Sequence, residues 1–293
     1  AQILPNFSLA RFSITTSCHT HCFYHIKPHL QPIKSSLNNK PHTQQNQVTK
    51  LYLIGNFVKF PQTSYNKFSQ TTKKQTHTYM KTLLNHPDAI EKMRIAGKLA
   101  ADVLVMLDDY IKEGITTGAL DKLAHDYIVD VQKAIPANVG YHGYQHTLCT
   151  SINHVVCHGI PDDSRILKDG DIVNIDVTVI KDGYHGDTSK MWIIGEGSIM
   201  AQRICKVAQD ALYAGMKAVK NGAYIGDIGA AIQAVAEPER FSVVKEYCGH
   251  GISDVYHDEP QILHYGKKNT GARLTTGMTF TIEPMINQGV WQT

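Results

Sequence analysis

The sequence predicts an α+β fold in which helices lie on one face of a curved antiparallel sheet. Three observations lead to this prediction. Residues 172–180 alternate apolar and polar side chains, as a half-buried strand does. The turn sequence Lys181-Asp182-Gly183 follows and returns the chain as a hairpin. Segments with apolar residues at helical spacing occur both before and after this hairpin.

Residues 1–79 precede this pattern and are predicted to be a disordered or targeting extension. Residues 1–87 contain ten Lys or Arg residues and no Asp or Glu. The segment is rich in Thr, Gln, Asn, Ser and His, and cannot bury enough apolar surface to offset its ordering entropy. Its composition is equally typical of an organelle transit peptide, or of upstream sequence translated by mistake with Met80 as the true start. Its Cys-His-Thr-His-Cys run at 18–22 has no second ligand pair, so we interpret it as chance clustering.

The composition of the remaining chain argues against two classes of protein. No apolar run approaches the ~18 residues of a membrane helix, so no membrane partner is expected. After residue 87 the chain has 19 basic and 26 acidic groups, a balance that does not favour nucleic-acid binding. The six cysteines are sparse and unevenly spaced, which indicates a reducing compartment rather than a disulfide framework.

The helices and strands predicted along the rest of the chain agree with this fold class. Asp88 can cap a first helix that Gly114 closes, and Pro238 must end or kink the last helix. Helices are predicted at 88–113, 120–128, 199–220 and 225–236, an extended segment at 149–158, and further strands at 241–247 and 278–283.

Two carboxylates on the hairpin are the first candidates for chemistry. Asp176 lies on the polar face of its strand, and the turn brings Asp187 back on the neighbouring strand. Like charges so close together are unfavourable unless a cation lies between them. A pair of solvated strand carboxylates remains the alternative.

Two later segments favour the interpretation that a cation lies between these carboxylates. His250 ends a strand between two glycines, which leaves its ring room to reach a neighbour, and Glu283 shares a strand face with Thr279 and Thr281. Two Asp, one His and one Glu form an oxygen-rich set with one imidazole. That set suits Mn, Fe, Co or Zn.

These segments resemble the metal-binding motifs of the methionine aminopeptidases. The motifs are Asn-Ile-Asp-Val-Thr at 174–178, His-Gly-Asp-Thr at 185–188, Gly-His-Gly-Ile at 249–252 and Thr-Ile-Glu-Pro-Met at 281–285. Gly-Tyr-His-Gly-Tyr at 140–144 and Val-Cys-His-Gly-Ile-Pro at 156–161 are similar to the bacterial type I enzymes in particular. The resemblance covers about residues 80–290 in unbroken motif order. It implies the pita-bread fold, a curved antiparallel sheet with helices on the outer face.

The resemblance also implies the site. Asp176, Asp187, His250 and Glu283 would bind two divalent ions, and a metal-bound hydroxide would attack the scissile carbonyl with Glu283 handling its proton. His158 would contact the scissile amide nitrogen, and His257 would steady the oxyanion. Tyr141, Tyr144, Cys149 and Tyr256, together with these two histidines, would bind the methionine substrate. His154, His185 and His264 are interpreted as structural.

The match departs from the family in two places that bear on function. The family has a fifth ligand, a second bridging Glu, some thirty residues after the position of Glu283, whereas here no carboxylate follows Glu283 and the chain ends at Thr293. We therefore expect a catalytic domain at 80–293 that is incomplete at its C-terminus. Such a domain would bind the second ion weakly. One outcome is a chain that holds a single ion and is inactive. Asn138 stands where many bacterial members have a pocket Cys.

The function implied is removal of the initiator methionine from nascent polypeptides with a small second residue. An X-Pro aminopeptidase and a non-catalytic pita-bread binding protein are the alternatives. The expected partners are nascent polypeptide N-termini, with ribosome association left open, and the family is usually monomeric. The location would be cytoplasmic, or plastid or mitochondrial if residues 1–79 are a transit peptide.

Overall fold

A computed structural model of the chain describes residues 85–293 and, ahead of them, the backbone of Val48–Thr49 and Leu53–Ile54. The predicted α+β class is confirmed, because all strand pairs are antiparallel and the helices lie between groups of strands. The helices are α1 (Pro87–Leu107), α2 (Thr117–Asp126), α3 (Ile199–Ala218) and α4 (Ile225–Ala236). A π-helical turn, Tyr127–Val131, extends α2, and a 3-10 turn forms at Tyr141–Gly143.

The strands form three separate hydrogen-bonded sheets. The five-stranded sheet has the order β1-β6-β5-β3, with β4 also paired to β5. The four-stranded sheet has the order β2-β10-β8-β9, and β11 pairs with β7. The bounds are β1 (Val48–Thr49), β2 (Leu53–Ile54), β3 (Ile135–Pro136), β4 (Leu148–Ile152), β5 (Ile172–Lys181), β6 (Tyr184–Ile193), β7 (Phe241–Val243), β8 (Gly249–Gly251), β9 (Asp258–Ile262), β10 (Thr279–Phe280) and β11 (Ile286–Gln288).

The β5–β6 hairpin is the longest paired unit and forms as the alternation predicts. Its ten pairs run from Ile172↔Ile193 to Lys181↔Tyr184. The apolar face of β5 is fully buried against α1 and α2 in a core built from residues 100–194. At the turn, Asp182 and Gly183 both have positive φ, the conformation that an Asp-Gly hairpin turn adopts.

A second core lies under α3 and α4 and contains residues 207–282. Its strands are short, and here the predicted bounds were too long. The strand predicted at 241–247 ends at Val243, and that predicted at 278–283 is reduced to Thr279–Phe280. Beyond these points single backbone bonds replace the ladder, such as Val244 N–H to Met285 O.

Other predicted bounds also shift. The first helix ends at Leu107 rather than near Gly114, and the extended segment at 149–158 is a strand only as far as Ile152. Within the predicted extension, β1 pairs with β6 and β2 pairs with β10, so four of its residues are in strands. The Cys-His run at 18–22 lies outside the described residues. Among the described residues, no helix combines the length and the apolarity that a bilayer span requires.

Candidate metal centre

Three of the four predicted ligands converge at one point. Single ligand atoms of Asp187, His250 and Glu283 all lie within 4.8 Å of one another. The Nε2 atom of His250 lies 3.5 Å from Asp187 Oδ2 and 3.6 Å from Glu283 Oε1. The three residues come from β6, β8 and the segment after β10. The cluster therefore lies between the five-stranded sheet, which contains β6, and the four-stranded sheet, which contains β8 and β10.

The fourth predicted ligand, Asp176, lies outside this group of three but close to it. On β5, Asp176 pairs with Ser189, and Thr178 pairs with Asp187. Cross-strand partners and residues two apart share a face, so Asp176 and Asp187 are diagonal neighbours on one side of the sheet. Asp176 and Glu283 also line the same cleft, a cavity of about 700 Å³.

The glycines beside His250 serve a different purpose from the one predicted. A Cβ atom at Gly249 would lie 2.3 Å from the carbonyl oxygen of Thr281, and one at Gly251 would lie 2.1 Å from that of Glu259. The glycines thus permit close approach of β8 to its neighbouring strands, rather than giving the imidazole room. His250 is placed by this close packing.

Hydrogen bonds then orient the ligands. The Nδ1 atom of His250 lies 2.9 Å from the carbonyl oxygen of Gly251, which can only accept, so Nδ1 carries the proton and Nε2 faces the carboxylates. Thr281 accepts from the backbone N–H of His250 at 3.0 Å and donates to Glu283 Oε1 at 2.6 Å. This fully buried hydroxyl couples the two ligands of the second sheet.

The electrostatics of the cluster favour a positive charge. Burial lowers the pKa of His250, but hydrogen bonding to Asp187 and the charges of Glu283 and Asp187 outweigh it and raise that pKa above its ordinary value. Asp187 itself is only 2% exposed. The carboxylates of Asp187 and Glu283 thus favour a positive charge at this point of the site, and a bound metal would compete with a proton for His250.

The residues fit a divalent ion on two grounds. Two ligand atoms about 2.1 Å from a shared ion lie roughly 3.0–3.5 Å apart in octahedral or tetrahedral geometry. The two distances from His250 Nε2, 3.5 and 3.6 Å, lie at and just above the upper end of that range. Carboxylate and imidazole donors also suit Mn, Fe, Co and Zn. Cys248 is not among the ligand atoms that converge here, and burial together with the charges of Glu283 and Glu259 raises the pKa of its thiol.

Aromatic rings form a wall beside the metal ligands. The ring centroids of Tyr141 and Tyr256 lie 4.9 Å apart, and His257 stacks on Tyr256 at 4.1 Å. His257 Nδ1 is hydrogen-bonded to the Tyr141 hydroxyl at 2.8 Å. The His257 ring also lies 4.2 Å from that of His250. His257 is thus next to the metal ligands.

Of the other two predicted pocket residues, Cys149 lies at the start of β4, and Tyr144 lies between the 3-10 turn and that strand. Burial raises the pKa of Tyr144, with further contributions from Cys149 and the carboxylate of Asp121, so its hydroxyl stays protonated and donates to Leu148 O at 2.8 Å. Cys149 is the register partner of Asp176 on β5. Both residues are therefore adjacent to the ligand strand.

His158 takes a different position from His257. It is exposed, has a positive φ of 56°, and meets the ring of Tyr247 edge-on at 5.6 Å. A left-handed conformation is uncommon outside glycine and is characteristic of functional loops. Tyr247 was not predicted as a site residue.

Three further residues, which were not predicted as site residues, contact residues of the site. The backbone N–H of Glu283 donates to Nε2 of the buried His264 at 3.1 Å. His185 stacks on Tyr256 at 5.3 Å and lies beside Ser253 O at 3.0 Å. Asn138 is hydrogen-bonded to the Tyr256 hydroxyl at 2.7 Å. The sequence had pointed to Asn138 only as a departure in the pocket.

Comparison with known proteins gives a consistent result. Residues 91–292 match the model of metallopeptidase family M24. The methionine aminopeptidase of Escherichia coli K12 is 60% identical over 203 residues, which are 69% of this chain and 77% of that protein. The crystal structure of methionine aminopeptidase from Rickettsia prowazekii superposes with a TM-score of 0.69 at 51% identity, covering 71% of this chain and 83% of that one. An X-Pro aminopeptidase structure from Thermotoga maritima has a TM-score of 0.60 but 19% identity, a likeness of fold alone.

Proposed function

The chain belongs to the methionine aminopeptidases of metallopeptidase family M24, and from this premise we propose that it removes the initiator methionine from nascent polypeptides with a small second residue. The convergence of Asp187, His250 and Glu283 carries the proposal. The X-Pro alternative is supported by fold likeness alone. A binding protein without activity would have no use for a cluster of buried ligands.

We assign the metal ligands as Asp176, Asp187, His250 and Glu283, holding two divalent ions from among Co, Mn, Fe and Zn. When bound, the metal polarises the scissile carbonyl and lowers the pKa of a coordinated water toward neutrality. Asp187 would be shared by both ions; this is supported by its distance of 3.5 Å from His250 Nε2 and by the diagonal position of Asp176 on the neighbouring strand.

The chain's own groups supply the rest of the chemistry. The carboxylate of Glu283 accepts the proton released when the nucleophile forms, and the hydrogen bond from Thr281 fixes that carboxylate. His257, held by Tyr141 and Tyr256, donates toward the oxygen on which negative charge develops. His158 contacts the scissile amide nitrogen. Tyr141, Tyr144, Cys149 and Tyr256 hold the methionine side chain, with thioether–ring contacts favouring sulfur over a branched chain.

We propose that the enzyme acts on polypeptide N-termini as a monomer, in the cytoplasm unless residues 1–79 direct it to a plastid or mitochondrion. A tripeptide Met-Ala-Ser assay of the 1–293 chain tests the activity, with Mn²⁺ or Co²⁺ supplied and a chelator as control. Chelator-sensitive release of methionine is expected, with Met-Leu-Ser cleaved far more slowly. No release at any metal concentration, either from the folded 1–293 chain or from a longer chain that includes the second bridging Glu, would overturn the proposal.

A further inference from the structure

The side chain of Asn138 has only one orientation that satisfies its neighbours. This residue is 8% exposed, and its Nδ2 atom donates to the carbonyl oxygen of Thr147 at 2.9 Å. A carbonyl oxygen can only accept, so Oδ1 must face the other way, toward the hydroxyl of Tyr256 at 2.7 Å. The Tyr256 hydroxyl is therefore the donor in that bond.

The direction of this bond fixes the next one. The Tyr256 hydroxyl also lies 2.7 Å from Thr178 Oγ1. Because its single proton is committed to Asn138, it accepts from Thr178. Hydrogen bonds thus run in one direction from Thr178, on the ligand strand opposite Asp187, through Tyr256 to Asn138.

The far end of this series is anchored in backbone. Asp121 Oδ1 accepts from the N–H groups of Thr147 and Leu148 at 2.8 and 2.7 Å, which fixes the peptide that Asn138 binds. The series is short and held at both ends; Thr178 and Asn138 are buried, and Tyr256 is half-buried. The hydroxyl of Tyr256, in the middle of this series, therefore fixes the position of the Tyr256 ring.

That ring is the surface on which His257 packs. His257 stacks on one neighbour, Tyr256, at 4.1 Å with an interplanar angle of 26°, while His185 stacks on Tyr256 at 16°. A change in the tilt of Tyr256 would move His257. Asn138 itself touches neither His257 nor the metal ligands through any of the hydrogen bonds described.

We propose that Asn138 is a positioning residue for the reaction: through the Tyr256 hydroxyl, it sets the place of the His257 imidazole beside the scissile bond. This inference rests on the proposed function and deepens it. It predicts that Asn138→Leu, which preserves bulk but removes both hydrogen bonds, lowers kcat about 10-fold on Met-Ala-Ser and leaves KM within about twofold.

A double-mutant cycle tests the route of the effect. Tyr256→Phe keeps the ring and removes the hydroxyl, so Asn138→Leu should cost little more in that background. Expected is a double variant within about twofold of Tyr256→Phe alone. Fold-losses in kcat that multiply would mean that Asn138 acts by another route, and would overturn the inference.

A control variant separates positioning from stability. Asp227→Ala removes two hydrogen bonds away from the site, one from the backbone N–H of Tyr224 at the start of α4 and one from that of Asn269 in the loop before β10. It should lower the thermal midpoint without changing kcat. If it lowers kcat as much as Asn138→Leu at an equal loss of stability, the effect of Asn138 is structural and the inference fails.

One measurement is independent of activity. Ring protons of His257, assigned by loss of their NMR signals in His257→Gln, are shifted by the ring current of Tyr256. These shifts should change in Asn138→Leu and stay constant in Asp227→Ala. Unchanged shifts would refute the inference even if the parent chain releases no methionine, whereas a parent without activity would refute only the proposed function.

Discussion

The two halves of the molecule bring ligands to the same site by different means. The first core consists of residues 100–194 and the second of residues 207–282. In the first half, ten consecutive strand pairs place Asp176 and Asp187. In the second half the strands have two to five residues, and His250 and Glu283 are placed by Thr281, His264 and two glycines. A backbone ladder thus positions one pair of ligands, and individual side-chain contacts position the other.

Among residues 85–293, the two cores are separate clusters of buried side chains. A small cluster of Ile193 and Cys205 joins the end of β6 to α3, and the 700 Å³ cleft opens beside it. The metal ligands lie at the same junction. A bound ion would therefore act as a cross-link between the halves, and removing it should affect the less regular half more.

The most severe change to this arrangement is Asp187→Asn. Several kcal/mol of transition-state stabilisation depend on the bound cation, so kcat/KM on Met-Ala-Ser should fall by about 1,000-fold or more. The metal-free variant should unfold within a few degrees of the parent, because relief of the like-charge contact with Glu283 offsets the loss of the charged contact with His250. Asp210→Asn, at an exposed ion pair on α3, is the control and should leave both quantities unchanged. Activity retained by Asp187→Asn would contradict the ligand assignment.

The second prediction concerns metal removal, read by hydrogen exchange with mass spectrometry. Mn²⁺ at about 100 times its Kd stabilises the bound state by about 2.7 kcal/mol, so amides of Gly249–Gly251 should exchange up to about 100-fold more slowly than after chelation. Amides in the middle of β5, held by pairing on both edges, should change less. An equal change in both places would contradict the difference between the halves.

The third prediction tests the close approach of β8 to its neighbours. Gly251→Ala should destabilise the protein by about 1–3 kcal/mol, because its Cβ would lie 2.1 Å from a backbone oxygen. Gly97→Ala is the matched control, since nothing lies within 4 Å of a Cβ in that helix position. It should stabilise by about 0.4–1 kcal/mol. Thermal unfolding measures both, and equal midpoints would show that β8 can shift to relieve the contact.

The smallest expected effect is a dependence of the free energy of unfolding on pH, through a carboxylate in the second half. Backbone hydrogen bonds from Tyr224 and Asn269 lower the pKa of Asp227 below its usual 3.8. Its stabilising contribution is therefore fully present above the unfolded pKa and is lost as pH falls from about 4 through the folded pKa. Asp227→Asn should flatten this part of the stability curve, measured by urea unfolding between pH 3 and 6. A curve that keeps the parent's slope would assign the acid sensitivity to other carboxylates.

The sequence predicted the first half better than the second, for a physical reason. Alternation along β5 fixes which residues are buried, and a two-residue turn fixes the register, so both can be read locally. The end of β7 at Val243 depends on a bond to Met285, forty-two positions later in the chain, which no local pattern reveals. At the site, motif resemblance pointed to four candidate ligands, of which three lie together in the structure. The role of Asn138 depends on Tyr256, 118 positions away, and was invisible in either segment alone.

The two pairs of candidate ligands are also synthesised at different times, because one pair lies in the first half and the other in the second. During synthesis the first core is complete once Ile194 has been added, but Glu283 follows about 90 residues later. At about 5–20 residues per second, that interval lasts roughly 5–18 s. Throughout it, the growing chain carries Asp176 and Asp187 without His250 or Glu283. A peptidase whose ligands all lay on the first hairpin could begin cleaving as soon as that hairpin had formed, whereas this chain has its four candidate ligands only after Glu283 has been added.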